Sequence, residues 1–251
     1  MTVQKRMDAY FLPYAVFGGR ENMEIDEKLL DYAIENQLKA PVFRLYGWEP
    51  ACVSLGRNQK DTGVDKDFCQ NNGIDIVRRL TGGRALLHDK ELTYSFVCPC
   101  GFLKNGETVI QSYKEISGAL ALGLSKIGIM AEFPENKKAH TNFEYCMSLS
   151  TGADLCFEGK KIVGSAQFRK QGYILQHGSI MFDCDAEMIQ KVFHESLQND
   201  KIATLKESAP AVNLAQLSNA LVDGMEEYFG INLLLKEGLS AESLLRRDKR
   251  A

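Results

Sequence analysis

The chain has 251 residues, of which 45% are hydrophobic and 25% are charged. These values are typical of a globular protein and argue against a disordered, collagen-like or coiled-coil chain. With 30 Lys and Arg against 33 Asp and Glu, the net charge is −3. That balance argues against a generic nucleic-acid-binding protein, which usually carries a basic excess.

The cysteines and the N-terminal segment indicate a cytoplasmic protein. Seven scattered cysteines do not form the even, closely spaced set of a small secreted domain, so we expect reduced thiols. Lys5 and Arg6 precede an apolar stretch, but Asp8 and Pro13 interrupt it and no small-residue cleavage site follows. We therefore expect no secretory signal. No run approaches the ~18 apolar residues of a membrane span.

The first hundred residues predict one helix followed by strands. Asn22 is a suitable N-cap, with acidic residues in the first turn behind it. Four apolar residues then share one helical face: Met23, Leu30, Ala33 and Ile34. Strands are predicted over 42–45, 52–55, 74–80 and 92–98, the last with alternating side chains.

The remainder mixes helices with a hairpin. The spacing predicts a helix over 108–127, whose apolar stripe is Ile110, Tyr113, Ile116, Leu120 and Leu124. A polar loop is expected over 134–150. Further strands are predicted over 154–157, 161–166 and 173–182, the first two joined by a turn at Glu158-Gly159-Lys160. Helices are predicted over 186–193 and 214–229, and the charged tail after Ser240 forms a short helix or frays.

These elements predict a single α+β domain over residues 1–251. Its core is a mixed, largely antiparallel sheet with helices around it. The chain shows no internal repeat and no Pro-, Gly- or Ser-rich linker.

The paired glycines Gly82 and Gly83 form the first candidate binding motif. Such glycines permit positive φ and leave the backbone bare, so a ligand can approach closely. A tight hairpin turn is the commoner explanation. The spacing matches neither a phosphate-binding P-loop nor a dinucleotide fingerprint. Nearby His88 is a general base, a residue that orders this loop, or a surface residue; its charged neighbours favour the last two. His177, inside a predicted strand, is more typical of a hydrogen-bonded structural residue than of a catalyst.

Cys146 is the candidate nucleophile. It lies in the predicted polar loop, and a reactive thiol needs exposure and a nearby positive charge. Lys161 begins a strand able to return towards that loop, although an exposed lysine beside Lys160 is the ordinary alternative. Cys156 is expected in the core. The run from Gly164 to Ala166 opens space for a ligand or forms a bulge. Cys98 and Cys100 lack further ligands at zinc-binding spacing, so no metal is expected.

Several segments, taken in order, resemble the lipoate/biotin protein ligase superfamily. They are residues 46–50, 54–57, 78–89, 91–95, 159–167 and 176–179. The resemblance extends from about Asn22 to Phe182 and weakens after about Asp200. It implies the catalytic-domain fold of that superfamily.

Within the superfamily the chain is most similar to the cysteine-dependent octanoyl-[acyl carrier protein]:protein N-octanoyltransferases. Arg84 stands where ATP-dependent ligases usually have a third glycine. Cys146 matches the acyl-bearing cysteine, and Lys161 matches the catalytic lysine. The resemblance thus implies transfer of an octanoyl group to a lysine of a lipoyl domain through a cysteine thioester, with no cofactor.

The resemblance also implies the substrate site and the partners. Substrate-binding residues would be Arg78, Gly82, Gly83, His88, Tyr94, Gly164, Ser165, Ala166, His177 and Gly178. The partners would be octanoyl-acyl carrier protein and lipoyl-domain proteins, namely the glycine cleavage H protein or 2-oxoacid dehydrogenase E2 subunits. Neither nucleic acid nor membrane is expected. Local positive charge at Arg78, Arg79, Arg84, Lys160 and Lys161 would steer acidic carriers, or would simply be solvated.

Three alternatives stay open. An ATP-dependent lipoate ligase needs no cysteine. An octanoyl amidotransferase between lipoyl carrier proteins shares the chemistry, and only the segment from Thr81 to Arg84 favours acyl carrier protein as donor. A non-enzymatic acyl-binding module would not depend on Cys146 at all.

Overall fold

A computed structural model of the chain describes residues 6–134, 154–195 and 201–246. The strands in these ranges are β1 Met7–Phe17, β2 Val42–Trp48, β3 Cys52–Leu55, β4 Asp75–Arg78, β5 Leu86–His88, β6 Glu91–Pro99, β7 Leu155–Phe157, β8 Lys160–Lys170, β9 Tyr173–Met181 and β10 Ile231–Leu234. The α-helices are α1 Gly19–Glu35, α2 Lys66–Asn71, α3 Val109–Ser125, α4 Ala186–Phe193, α5 Leu205–Ser208, α6 Leu214–Phe229 and α7 Ala241–Arg246.

The strands form two sheets. Seven strands follow the order β10-β1-β2-β6-β9-β8-β7, with parallel pairs at β10-β1 and β1-β2 and antiparallel pairs elsewhere. Three strands follow the order β4-β3-β5. The predicted α+β class with a mixed, largely antiparallel sheet is confirmed.

Side-chain alternation gives the large sheet one apolar face and one more polar face, on which polar groups lie beside apolar residues packed against α1. In β6, Leu92, Tyr94 and Phe96 join the core cluster that also contains residues of α3 and α6. The intervening Thr93 and Ser95 are buried too, and they lie on the opposite face because successive strand residues alternate. Side chains of β2 and β9 on that polar face contact α1, so the polar groups meet between α1 and the sheet.

Most element predictions agree with the structure. Helices α4 and α6 have the predicted bounds. The hairpin turn between β7 and β8 has positive φ at Glu158 and Gly159, as a two-residue turn requires. Within the described ranges, no helix has the length and apolar character needed to cross a membrane. The predicted loop over 134–150 lies outside the described residues except for Pro134.

Three local predictions are wrong. Helix α1 begins at Gly19 after an N-cap at Gly18, and Asn22 is a buried residue inside it that binds other segments. Ile110 is 67% exposed, because α3 turns this position away from the core. Gly82 and Gly83 do not join a hairpin: β4 and β5 lie on opposite sides of β3, so residues 79–85 must cross over that strand.

Candidate active site

A cavity lies between α1, the polar face of the large sheet and the small sheet. The space between these elements measures about 420 Å³ when the part that is open to solvent is included. Apolar side chains cover much of its wall: Met23, Tyr46, Trp48 and Leu86. The backbone of β8 from Gly164 to Ala166 forms another part of the wall. The cavity is thus an apolar chamber with a few polar groups fixed around it.

One wall of the cavity is held by a charged network centred on Asp26 of α1. Its carboxylate accepts hydrogen bonds from Arg44 at 2.7 Å, Tyr46 at 2.9 Å and His177 Nδ1 at 2.9 Å. Burial by itself raises the pKa of Asp26, but the His177 hydrogen bond and the Arg44 charge outweigh it and leave the pKa below its ordinary value. Asn22 accepts a further hydrogen bond from Arg44 at 2.6 Å. Asp26 is therefore a buried anion that fixes three other side chains.

His177 lines the cavity and uses both ring nitrogens in hydrogen bonds. Nδ1 donates to Asp26, because a carboxylate only accepts, and Nε2 is hydrogen-bonded to the Thr81 hydroxyl at 2.7 Å. This contact ties the start of the glycine segment to β9. The arrangement agrees with a hydrogen-bonded structural histidine, which was the favoured sequence interpretation.

His88 is buried beside the same cavity and belongs to a second network. Its Nδ1 donates to Glu91 at 2.6 Å, and its Nε2 lies 2.7 Å from the Ser54 hydroxyl. The imidazole stacks on Trp48 with ring centroids 3.9 Å apart. Glu91 Oε1 also accepts hydrogen bonds from Thr93 and Ser179. The surface interpretation of His88 is therefore wrong, because the residue is only 5% exposed.

The glycine segment is held in place by Arg79. Its guanidinium donates to the Ser54 carbonyl at 2.8 Å, the Gly82 carbonyl at 3.0 Å and the Arg84 carbonyl at 2.6 Å. Arg79 is 7% exposed, so the view that it is a solvated surface charge is wrong. Gly83 has φ +98°, in the region that favours glycine.

The other predicted residues of this segment lie at the surface. Gly82 and Gly83 are exposed, and they are not among the side chains and backbone that line the cavity. Arg78 is exposed as well and donates to the backbone carbonyls of Gly56 at 2.7 Å and Gln59 at 2.8 Å. Its charge thus supports the preceding loop.

Strands β8 and β9 approach closely at the cavity. Gly178 pairs with Ser165, and a Cβ at position 178 would lie 2.5 Å from the Gly164 carbonyl oxygen and 2.5 Å from Ser165 Oγ. Only glycine fits there. The small residues from Gly164 to Ala166 therefore serve both strand pairing and the cavity wall, and Gly178 lines the cavity with them.

Tyr94 lies on the other face of the large sheet. Its hydroxyl donates to Ser165 Oγ at 2.8 Å and accepts from Gln176 at 2.9 Å, and its ring belongs to the apolar core. Burial raises the pKa of the Tyr94 phenol well above its usual range. Tyr94 thus supports β8 from behind and is not one of the cavity-lining residues.

Lys161 is buried at the start of β8, with its side chain 2% exposed. The ammonium lies 3.0 Å from the Asp154 carboxylate, which is equally buried. The Tyr113 hydroxyl from α3 lies 3.3 Å from the other carboxylate oxygen and donates to the Ser165 carbonyl at 2.5 Å. The alternative that Lys161 is an exposed hairpin residue is therefore wrong. The buried ion pair between Lys161 and Asp154 therefore lies at the start of β8, the strand that lines the cavity.

Cys146 lies outside the described residues, so its prediction as nucleophile stays a prediction. Cys156 is buried in β7, as expected of a core residue. Burial raises the pKa of Cys52 far above its usual range and that of Cys184 to about 11. These two thiols are therefore poorly suited to nucleophilic attack at neutral pH.

Several site residues escaped the sequence analysis, most of them because their partners are distant in the chain. They are Asp26, Arg44, Tyr46, Trp48, Ser54, Glu91, Tyr113 and Asp154. One usable signal was present: Arg44, Thr93 and Ser95 are polar residues inside otherwise apolar strands. Such residues are buried only when hydrogen-bonded, so they mark a polar interior.

The fold and the cavity together define the lipoate-protein ligase type of α+β enzyme fold. The chain superimposes on the crystal structure of lipoate-protein ligase A bound with ATP with a TM-score of 0.77 and 23% sequence identity, covering 96% of this chain and 93% of that one. This similarity establishes the shared fold.

Sequence comparison then identifies the family. Residues 19–226 match the lipoyl protein ligase A/B catalytic domain, and the chain belongs to this family. The matched range extends beyond Asp200 to residue 226. Octanoyltransferase LipM of Carboxydothermus hydrogenoformans is 39% identical, covering 94% of both chains. Octanoyltransferase LipM of Macrococcus caseolyticus is 36% identical, covering 86% of this chain and 84% of its own.

Proposed function

We propose that this chain is an octanoyltransferase of lipoate biosynthesis, moving an octanoyl group from octanoyl-acyl carrier protein to a lysine of a lipoyl domain. The observation that carries the proposal is the 39% identity to an octanoyltransferase over 94% of both chains. An apolar cavity lined by small residues of β8 and a buried lysine on the same strand support it.

The first step forms an acyl-enzyme. The Cys146 thiolate attacks the thioester carbonyl of the donor, a new C–S bond forms, and the C–S bond to the carrier breaks. The carrier leaves as a thiolate and takes the proton that the Lys161 ammonium gives up, which leaves Lys161 neutral. The Lys161 ammonium favours the Cys146 thiolate, because an opposite charge stabilises the charged form. One thioester replaces another, so the step needs no ATP.

The second step makes the amide. The amine of the target lysine attacks the Cys146 thioester, a C–N bond forms, and the C–S bond breaks to restore the Cys146 thiolate. A neutral Lys161 accepts the proton that the attacking amine loses, since a buried lysine changes its protonation readily. Because Cys146 holds the octanoyl group between the two steps, the enzyme binds the two bulky carrier proteins one after the other rather than together.

The cavity holds the acyl chain in this proposal. Burying eight carbons at about 0.8 kcal/mol per methylene contributes several kcal/mol of binding. Apolar groups at Met23, Tyr46 and Trp48 would contact the chain. Backbone N–H groups between Gly164 and Ala166 would stabilise the developing oxyanion, and one such donor is worth about 2.7–4 kcal/mol.

The remaining predicted residues take supporting roles. His88 and His177 shape the cavity and fix the glycine segment that contains Gly82 and Gly83. Tyr94 supports β8 through Ser165, and Arg78 adds positive charge outside the cavity, where acidic carriers would dock. The reaction is placed in the cytoplasm, where thiols stay reduced.

A donor panel tests the proposal. Purified enzyme is incubated without ATP with an apo lipoyl domain and either octanoyl-acyl carrier protein or an octanoylated lipoyl carrier protein, and acceptor mass is followed. A third arm supplies free octanoate with ATP. We expect transfer from acyl carrier protein, abolished by Cys146→Ala and retained by Cys156→Ala. Robust pyrophosphate release from free octanoate would instead identify a ligase, and transfer only from the lipoyl carrier would identify an amidotransferase.

A further inference from the structure

A chain of polar contacts links Lys161 to α3. The ammonium of Lys161 lies 3.0 Å from Asp154 Oδ2. Asp154 Oδ1 lies 3.3 Å from the Tyr113 hydroxyl, and that hydroxyl lies 2.5 Å from the Ser165 carbonyl oxygen. The four residues come from the segment before β7, from β8 and from α3, so the fold itself sets their spacing.

Because Lys161 is buried, the charged form of its side chain depends on the nearby Asp154 carboxylate. An ammonium removed from water loses hydration worth several kcal/mol, and only a close anion with good geometry offsets that loss. Both side chains of this pair are 2% exposed. Asp154 is therefore the close anion that supports the charged form of Lys161 in this environment.

Tyr113 fixes the position of this carboxylate relative to the cavity. The Tyr113 hydroxyl has one proton and two acceptors within hydrogen-bond distance, Asp154 Oδ1 at 3.3 Å and the Ser165 carbonyl oxygen at 2.5 Å, and it is placed to donate to both in a bifurcated hydrogen bond. Its oxygen therefore lies between Asp154 and the strand segment that lines the cavity. Movement of the carboxylate away from β8 would break this arrangement.

We propose that Asp154 and Tyr113 are positioning residues that act through Lys161, with Asp154 favouring the first half-reaction over the second. The inference rests on the proposed function. Acylation uses the ammonium of Lys161 to support a thiolate, and Asp154 keeps that ammonium charged. Amide formation uses the neutral amine, and Asp154 does not favour that form. Removing the carboxylate should therefore affect the two steps unequally.

The test measures the two half-reactions separately in the full-length enzyme at neutral pH. Acyl-enzyme formation from octanoyl-acyl carrier protein is followed by intact mass in single turnover. The isolated acyl-enzyme is then mixed with apo lipoyl domain to follow transfer. The variants are Asp154→Asn and Tyr113→Phe. The matched control is Asp31→Asn, which removes the carboxylate of the half-exposed Lys170 ion pair.

The expected result is a split between the two steps. Asp154→Asn should slow acylation about tenfold, because the buried Lys161 ammonium loses the carboxylate that lies 3.0 Å from it, and should slow transfer far less. Tyr113→Phe should lower the rate of acylation relative to the rate of transfer by about fivefold, which corresponds to the loss of one hydrogen bond. Asp31→Asn should change neither rate.

Other outcomes separate the two claims. Equal slowing of both steps in Asp154→Asn and Tyr113→Phe would show a merely structural role and would overturn the inference while the proposed function stands. If Asp154→Asn fails to fold, Tyr113→Phe decides alone. If the wild-type enzyme forms no acyl adduct, the proposed function fails and the inference fails with it.

Discussion

The buried Asp26 network yields a quantitative prediction for Asp26→Asn. Asp26 and Arg44 have side chains 2% and 1% exposed and lie 2.7 Å apart. The substitution removes the charge and leaves the Arg44 guanidinium buried without an ionic partner. Breaking such a pair from one side costs about 3–5 kcal/mol, so we expect the free energy of unfolding to fall by that amount.

The stability difference between wild type and Asp26→Asn should depend on pH, and the direction of that dependence follows from the pKa of Asp26. The folded-state pKa of Asp26 lies below its ordinary value, since the His177 hydrogen bond and the Arg44 charge outweigh burial. A carboxyl with a lowered folded pKa stabilises the fold above its unfolded pKa of about 3.9 and loses that contribution as the pH falls. The stability gap between wild type and Asp26→Asn should therefore be widest near neutral pH and narrow on acidification below about 4.

Urea denaturation across this pH range measures the effect. Asp31→Asn is the control, since its ion pair with Lys170 is 39% exposed on both sides and such surface pairs contribute only about 0–1 kcal/mol. A loss below about 1 kcal/mol in Asp26→Asn, or a gap that widens in acid, would refute the reasoning.

Two more predictions concern the cavity. Gly178→Ala places a Cβ 2.5 Å from the Gly164 carbonyl oxygen, so β8 must shift. We expect the free energy of unfolding to fall by about 1–3 kcal/mol and octanoyl transfer to become about a hundredfold slower. The control Gly82→Ala, whose Cβ meets nothing within 4 Å, should keep wild-type stability in the same denaturation assay. The chain has one tryptophan, and Trp48 stacks on His88 in the cavity wall. Octanoate titration should therefore change tryptophan emission, and an unchanged spectrum at saturating ligand would count against this cavity as the acyl site.

Local patterns in the sequence were enough to predict much of the fold. The turn at Glu158 and Gly159 carries its own signal, because these positions need positive φ. Helix α6 has a capping box at Asn213 and Gln216 and a C-cap at Gly230, which are signals contained within one segment. Such elements are predictable because their causes lie within a few residues.

The polar interior was not predictable in this way. Asp26 of α1 meets His177 of β9 across 151 positions of sequence, and only the packing of α1 on the sheet brings them together. The same holds for Asn22: its identity suggests a helix cap, but its amide is used to bind the Gly47 carbonyl at 3.0 Å. The path of residues 79–85 likewise depends on which strands flank β3, and the paired glycines alone do not reveal that arrangement.

The most direct test of the account is the identity of the acylated residue. Purified enzyme is incubated with octanoyl-acyl carrier protein without acceptor or ATP, and intact-protein and peptide mass spectrometry locate the adduct. We expect one octanoyl group as a hydroxylamine-sensitive thioester on Cys146, which then passes to an added lipoyl domain. An octanoyl group on any other residue, or a lipoyl domain modified at full rate by Cys146→Ala, would contradict the account.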